Sequence, residues 1–485
     1  MSLLLHDARL LGGRRADLRL SAGVITEIAP TLPFGASEVV DLDGRFVLPG
    51  LWDNHVHFTQ HALAGQRMDV SAAVSAADVA GMIAATVGPA AMPGELIVGI
   101  GFHDGLWPDA PSREVLDTAS GTVPIVVLSA DLHSCWLNSA ALARFGFPDH
   151  PTGLLREDDC FAVTARLQDV PDAVLDHWVT DAAAAAAARG VVGVVDFEMA
   201  QNLAAWPRRF AGGFDTLRVA AGIYTAHLED AIADGARTGD TVDGTGGLLT
   251  VGPFKIIIDG SLNTRTARCV DPYPGITGDA ANGILTVDAA DLTRLMRRAS
   301  AAGITPAVHA IGDEANRVAL DAFESVGCTG RIEHAQLIRD ADFARFHRLG
   351  VAASVQPEHA MDDRDVADRY WNGRTGRAFA LRTLLNAGAR MLFGSDAPVA
   401  PLDPWAAIAA AVSRSRDGRD PWHPEQRITV AEALSASANG DTVAVGSPAD
   451  LAVVERDPLG ESGERLRAMP VSGTLLAGRW THRAF

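Results

Sequence analysis

Eight short apolar runs with the character of β-strands recur along the chain, and helical segments follow them. Such alternation predicts parallel strands joined by crossover helices, and eight units of this kind are what a (β/α)8 barrel requires. We therefore expect an α/β fold with a TIM barrel over residues 46–439. The runs are FVLPGLWDNHVHF (46–58), GVVGVVDFEM (190–199), LRVAAGIYT (217–225), PFKIIIDGS (253–261), TPAVHAIGD (305–313), GRIEHAQ (330–336), GVAASVQPEH (350–359) and ARMLFGSDAP (389–398).

Two further strand-like runs, ELIVGIGF (95–102) and VPIVVLSADLHS (123–134), lie between the first and second of the eight. We assign them to an insertion over residues 65–180. Short apolar runs separated by turn signals also fill residues 1–45 and 440–485, a pattern of small strands. The two termini are therefore predicted to pair as one small β-domain beside the barrel.

Composition limits the partners of the chain. Its formal net charge of -19 repels nucleic-acid phosphates and anionic membranes, and we expect neither as a partner. No apolar run approaches the roughly 20 residues that span a bilayer, and the first residues lack the apolar segment of a secretory signal. We expect a cytoplasmic protein that acts on a small molecule, with a homodimer as the commonest closed assembly. The four cysteines show no CxxC spacing, so we expect neither disulfides nor a cysteine metal site.

Six separated residues near the ends of the apolar runs have the chemistry of a metal site. An isolated HxH pair is more often an ordinary surface or core pair, and a lone histidine is more often a satisfied core group. The joint placement on strands 1, 4, 5, 6 and 8 favours a metal site, because side chains i and i+2 of a strand share one face and imidazoles with a carboxylate suit zinc and related divalent ions. We call this set the cage: His55, His57, Lys255, His309, His334 and Asp396.

Several motifs resemble those of the amidohydrolase superfamily, in particular its branch of YtcJ-like and N-substituted formamide deformylase-like hydrolases. They are HVHF after LPGLWD, FKIIIDGS, GSDAPV, DGSLNTRTA, LSADLHSCWLNSAAL, PTGLLRE and SPADLAVV, spread over almost the whole chain. The resemblance implies a barrel flanked by a β-sandwich built from both termini, residues 1–45 and 440–485.

The same resemblance implies roles for the cage. His55, His57 and Asp396 would hold one divalent metal, and His309 and His334 a second. Lys255 would bridge the two ions as a carbamate made from carbon dioxide, since burial favours the neutral amine that this reaction needs. The alternative is a plain Lys255 ammonium paired with Asp259 or Glu198, which leaves a single-metal site.

The expected mechanism is hydrolysis by metal-activated hydroxide. Asp396 is the candidate general base that carries a proton to the departing nitrogen, unless it serves only as a ligand. His133 is expected to donate a hydrogen bond to the developing oxyanion, with a structural role as its alternative. Candidate substrate-binding residues are Trp136, Asp259, Arg265 and His359, together with Ser261, Tyr370 and Trp371; Arg265 has the alternative of a clamp on Asp259.

Three functions remain open at this point. The first is cleavage of a carbon–nitrogen bond in a small non-peptide amide, and the second is deamination or ring opening of a cyclic amide or amidine on the same cage. The third is a non-catalytic scaffold, which the complete set of cage residues disfavours. Lys255 and the HAIGDE segment argue against a deaminase with a single metal.

Overall fold

The computed structural model describes residues 2–87, 96–167 and 170–485. Its centre is a sheet of eight parallel strands in consecutive order, and the α/β barrel predicted from the sequence is confirmed. The last strand returns to the first, where the Asp396 amide donates to the His55 carbonyl (2.7 Å) and the His57 amide to the Ala397 carbonyl (2.9 Å). The barrel strands are β1 Leu51–Val56, β2 Val191–Asp196, β3 Arg218–Tyr224, β4 Leu249–Ile257, β5 Pro306–Ala310, β6 Gly330–His334, β7 Val351–Val355 and β8 Met391–Phe393.

Helices surround the barrel and cover its outer face. The helix that follows β5, Asp313–Val326, shows why they form: apolar side chains recur on one face, and Gly327 ends the helix in the left-handed conformation (φ 69°) that glycine adopts without strain. Burial of a side chain such as Phe323 from this face contributes about 2 kcal/mol. The helices outside the insertion are Phe58–Ala64, Asp172–Ala187, Asn202–Ala211, Leu228–Ala233, Ala289–Ala301, Asp313–Val326, Phe343–Leu349, His359–Tyr370, Leu381–Asn386, Pro404–Ser413, Val430–Ser437 and Gly463–Arg467.

Strands from both termini form a second sheet of eight strands. The strand Phe46–Pro49 joins its two halves, because it pairs with Ser2–Leu10 on one side and with Leu451–Val454 on the other. The predicted run 46–58 is therefore two strands, which separate at Gly50, where a Cβ atom would lie 2.4 Å from Val192 Cγ1. The strands of this sheet are Ser2–Leu10, Arg15–Ser21, Val24–Ala29, Glu38–Asp41, Phe46–Pro49, Leu451–Val454, Val471–Leu476 and Arg479–Arg483.

The segment between β1 and β2 contains a sheet of its own, with five strands. Both additional apolar runs form strands here, although Glu95, the first residue of run 95–102, lies outside the described residues. The helix Asp172–Ala187, at the end of this segment, packs on the barrel through Val179 and Ala183. The strands are Met68–Asp69, Ile97–Phe102, Ile125–Ser129, Ser134–Leu137 and Leu154–Arg156; the helices are Ala76–Thr86, Arg113–Ser120, Ser139–Phe145 and Asp158–Leu167.

Among the described residues, no helix combines the length and the apolar character that crossing a bilayer requires.

Candidate metal centre

The cage residues lie near the carboxyl ends of their barrel strands, which is the end where side chains from different strands converge. Register places His309 beside Ile257 of β4, and His334 beside Ala310 of β5. His334 and Asp396 have φ angles of 72° and 59°, in the left-handed region that non-glycine residues rarely adopt. Such backbone conformations are concentrated at functional sites, where the surrounding structure holds them.

On the β1 and β8 side of the barrel, both histidines of the HxH pair lie close to the same carboxylate oxygen of Asp396. Asp396 Oδ1 lies 3.3 Å from His57 Nε2 and 3.4 Å from His55 Nε2. Burial would raise the pKa of Asp396, but the neighbouring imidazoles of His55, His57 and His334 hold it well below its ordinary value. Asp396 is therefore an anion, and together with His55 and His57 it can bind one cation.

The orientation of His55 is set by a buried glutamate. His55 Nδ1 lies 2.7 Å from Glu333 Oε2, and the pKa of Glu333 is well below its ordinary value, since the Arg331 guanidinium and the hydrogen bond from His55 outweigh the effect of burial. Burial and the neighbouring Lys255 lower the pKa of His55 to about 4, so its ring is neutral. An ionised carboxylate can only accept, so His55 Nδ1 carries the proton and Nε2 keeps its lone pair. That lone pair faces Lys255 Nζ at 3.0 Å and is available to a metal.

On the β5 and β6 side, the imidazoles of His309, His334 and His359 lie next to one another. The ring centroids of His309 and His334 are 4.5 Å apart, and His334 stacks on His359 at 6.2 Å. His334 Nδ1 and His359 Nε2 each lie 4.0 Å from Asp396 Oδ2. Burial, together with the charges of neighbouring groups, lowers the pKa of His309 and of His334 well below its ordinary value, so both rings are neutral.

Lys255 is fully enclosed between these two sides. Its Nζ lies 4.6 Å from the centroid of the Phe197 ring. Burial lowers the pKa of Lys255 to about 8, with Glu333 and Asp396 opposing this shift and Arg331 reinforcing it. A neutral amine is therefore accessible near neutral pH, which is the form that can react with carbon dioxide.

The arrangement fits a divalent metal. Neutral imidazole nitrogens and an ionised carboxylate are the donors that zinc and its neighbours prefer. Within the part of the chain that the structure describes, His57 Nδ1, His334 Nδ1 and His359 Nε2 are buried without a hydrogen-bond partner. Unpaired buried polar atoms cost free energy, and the last two face Asp396, where a cation would engage them.

The insertion brings a charged histidine to the same place. His133 Nδ1 lies 2.9 Å from Glu157 Oε2, whose other oxygen accepts a hydrogen bond from Thr266 (2.7 Å). Burial alone would lower the pKa of His133, but the charge and hydrogen bond of Glu157, with Asp131, raise it to about 9. His133 is therefore a cation at neutral pH, with Nε2–H as a donor.

Two adjoining cavities meet at the cage and share His133, His309, His334 and Asp396 in their walls. The lysine cavity is bounded by Lys255, His55 and His57. The aspartate cavity is named here for Asp131, Asp362 and Asp363 in its wall. A small molecule in these cavities would contact the cage and the insertion together.

Comparison with known proteins decides the family. The profile of the amidohydrolase family matches residues 38–482. The chain belongs to this family. It is 28% identical over 487 aligned residues to the putative amidohydrolase YtcJ of Bacillus subtilis (strain 168), covering 91% of this chain and 90% of that protein. It is 27% identical over 523 aligned residues to the N-substituted formamide deformylase of Arthrobacter pascens, covering 96% of this chain and 93% of that protein.

A solved structure shares the fold: an uncharacterized metal-dependent hydrolase from Pyrococcus horikoshii ot3 superposes with a TM-score of 0.78 at 23% identity, covering 95% of this chain and 99% of that one. The resemblance inferred from the motifs is thereby confirmed. This amidohydrolase is a metal-dependent hydrolase that acts on carbon–nitrogen bonds.

The structure does not bring every predicted substrate residue of the amidohydrolase to the cage. Trp136 is fully buried within the insertion, where its indole N–H donates to the Ser112 carbonyl at 2.9 Å. It belongs to neither cavity wall, because the strand Ser134–Leu137 turns this side chain towards Phe102 in the core of the insertion. His359 and Ser261 do line the aspartate cavity.

Asp259 and Arg265 are also absent from the walls of the two cavities. Asp259 is fully buried and accepts hydrogen bonds from the backbone amides of Arg268 (2.9 Å) and Gly312 (2.9 Å), so it braces the loop after β4 and belongs to neither cavity wall. Arg265 donates to the Tyr370 hydroxyl at 3.1 Å instead of clamping Asp259. Although neither residue lines the two cavities, Asp259 Oδ1 lies 3.4 Å from His309 Nε2 and so contacts the cage.

Several contributors to the site were not predicted from the sequence, among them Glu333, Phe197 and Gln336. Glu333 precedes His334 in β6 and faces His55, whereas Phe197 follows β2 and lies under Lys255. The RIEH segment held a signal for the first, since a carboxylate beside a ligand on a barrel strand is a common partner for a metal-binding histidine. Phe197 and Gln336 carried no comparable signal.

Proposed function

We propose that this amidohydrolase cleaves the carbon–nitrogen bond of a small non-peptide amide. The observation that carries the proposal is the convergence of Asp396, neutral imidazoles and a histidine cation on cavities that a small molecule can share. Each group has a role in amide hydrolysis, which needs an activated water, a stabilised oxyanion and a protonated leaving nitrogen.

The proposed cofactor is zinc, with His55, His57 and Asp396 holding one ion and His309 and His334 a second. When bound, the metal lowers the pKa of water and polarises the carbonyl that is attacked. Lys255 would complete the pair as a carbamate: its neutral nitrogen bonds to the carbon of carbon dioxide and one proton is lost. Its fully buried position and its pKa of about 8 support this step.

Asp396 is proposed to transfer a proton from the attacking water to the leaving nitrogen. Its carboxylate is anionic and lies at the shared wall of the two cavities, with Oδ2 directed towards the β5 and β6 side. It can take a proton from the attacking water and return it to the amide nitrogen, which leaves poorly unless it is protonated.

His133 is proposed to stabilise the oxyanion. Glu157 engages its Nδ1, so Nε2–H remains to donate to the carbonyl oxygen as negative charge develops there. The donor is charged and partly shielded from solvent, both of which strengthen such a hydrogen bond.

A direct test combines metal analysis with substrate screening. We expect purified protein to contain two metal ions per chain and a crystal of it to show carboxylate density on Lys255. We also expect release of formate or another acid from N-substituted amides. As a control, an Asp396→Asn protein should release the acid about a thousandfold more slowly, or slower still.

Other outcomes would redirect the proposal. One metal with an unmodified Lys255 would eliminate the bridged centre, and ammonia released only from heterocycles would favour deamination. A scaffold would be indicated if the metal-loaded protein hydrolysed no amide and Asp396→Asn kept every measurable property.

A further inference from the structure

We infer that the substrate carries a cationic nitrogen, such as an ammonium group, which binds in the aspartate cavity against Asp363 and Gln336. This inference rests on the proposed function and specifies its substrate class. It places the amide at the cage and the cation beside Asp363 and Gln336 in the wall of the aspartate cavity.

The wall of the aspartate cavity is rich in carboxylates. It includes Asp131, Asp362, Asp363 and Asp396, and no lysine or arginine from the described residues contributes to it. Asp396 belongs to the cage, so three carboxylates remain for the rest of the cavity. Their effect depends on which of them already has a partner.

Two of the three are compensated within the protein. Asp131 accepts a hydrogen bond from the Ser261 hydroxyl (2.8 Å) and is close to the His133 cation, which it helps to stabilise. Asp362 accepts a hydrogen bond from Arg416 Nη1 (2.6 Å). Both therefore have positive or donating groups beside them before any substrate binds.

Asp363 differs from them. It lies on the helix His359–Tyr370, and its carboxylate has no hydrogen bond or ion pair with any described residue. Burial, with the charges of Asp362 and Asp131, raises the pKa of Asp363 well above its ordinary value. A cation in the cavity would relieve both effects, since it would supply the missing partner and stabilise the ionised form.

A second, independent acceptor points to the same ligand chemistry. Gln336 is 3% exposed and lines the cavity, and its Oε1 has no hydrogen-bond partner in the described part of the chain. Its Nε2 lies 3.5 Å from His359 Nδ1, so the amide group turns its acceptor away from that ring. A buried unpaired oxygen costs free energy, and the N–H groups of an ammonium would satisfy it together with Asp363.

Matched substrate pairs test the inference. We would compare the monoformyl derivative of a four-carbon diamine with the formamide of pentylamine, in which a methyl group replaces the ammonium. A second pair, five-carbon ω-amino amide against hexanamide, moves the cation to the acyl side. In at least one pair we expect kcat/KM to be about tenfold or more higher for the cationic substrate than for its neutral counterpart, because a hydrogen bond to a charged group is worth roughly 1.5–3 kcal/mol.

Variants locate the effect. Asp363→Asn should reduce the ratio of kcat/KM between cationic and neutral substrates towards one. Asp365→Asn is the matched control, because Asp365 lies on the same helix but pairs with Arg419 at the surface (2.7 Å), and it should leave the ratio unchanged. If Asp363→Asn does not fold, the wild-type ratios and their decline with added salt decide the question.

The outcomes separate the two proposals. Equal or faster turnover of the neutral members would overturn the inference and leave amide hydrolysis intact. The inference would also fail if both aspartate variants changed the ratio equally. No turnover of any amide by metal-loaded protein would count against the proposed function itself.

Discussion

The barrel and the insertion supply the same two cavities, but they position their side chains differently. The barrel places its groups on strands of one continuous parallel sheet, so that register alone sets His309 beside Ile257 and His334 beside Ala310. The insertion presents His133 from the turn between Ile125–Ser129 and Ser134–Leu137, and hydrogen bonds to Glu157 and Asp131 hold it there.

This difference separates two tasks. Strand ends give a rigid arrangement that suits metal ligands, whose distances tolerate little error. A turn held by side-chain hydrogen bonds can change in sequence without disturbing the barrel, which suits contacts with the substrate. Changes on the barrel side should therefore alter metal binding, whereas changes on the insertion side should alter turnover at constant metal content.

The largest effect is expected from Asp396→Asn. The amide cannot take a proton and is a weaker metal ligand, so kcat should fall by about a thousandfold or more and metal content should fall with it. Steady-state kinetics and elemental analysis of the same preparation would measure both. Wild-type turnover in this variant would show that Asp396 takes no part in the reaction. It would also contradict the role assigned to the barrel residues.

On the insertion side, His133→Gln should lower kcat by roughly a hundredfold through loss of a charged oxyanion donor, with metal content unchanged. The pKa of about 9 also predicts a pH dependence. The donating, protonated form is present below that pH, so activity should decline as the pH rises through about 9, and this decline should be absent from the variant.

His177→Gln serves as the control for this experiment, since its side chain is 72% exposed on the helix Asp172–Ala187. It should match the wild type in turnover and metal content. Metal loss in His133→Gln would contradict the division of tasks between barrel and insertion.

Glu333→Gln should have an intermediate effect that is confined to the metal. The neutral amide no longer fixes the proton on His55 Nδ1, and loss of such a partner typically costs 10- to 100-fold, or about 1.4–2.7 kcal/mol, in metal affinity. Competition with a chelator would measure the change. Glu324→Gln is the matched control, because Glu324 is half-exposed and pairs with Arg345 and Arg348 away from the cage; equal metal affinities for the two variants would show that Glu333 has no positioning role.

The same contrast explains which parts of the structure could be predicted from the sequence. The barrel and the cage were predictable because apolar strands and their terminal polar residues are local patterns, and parallel strands bring their ends to one edge. The split at Gly50 was missed because it depends on Val192, a residue distant in sequence. A continuous apolar run cannot reveal a change of sheet.

The outer parts of the site were harder to predict for a related physical reason. Asp259 and Arg265 belong to a motif after β4, and their type suggested substrate contacts, but their direction depends on how the loop folds back on β5. Gln336 and Asp363 become notable only through the partners that they lack. Missing partners are a property of three-dimensional packing and leave no pattern in the chain.

Trp136→Phe should have the smallest effect and gives the most specific test of the insertion. The indole N–H bond to the Ser112 carbonyl would be lost while most of the apolar contact with Phe102 is kept. We expect a loss of about 1 kcal/mol in the free energy of unfolding, measured by denaturant titration. KM and kcat should stay at wild-type values, because the side chain belongs to the core of the insertion and to neither cavity wall. A several-fold change in KM at unchanged stability would instead place Trp136 against the substrate, and the insertion would then contribute a binding surface that extends beyond His133.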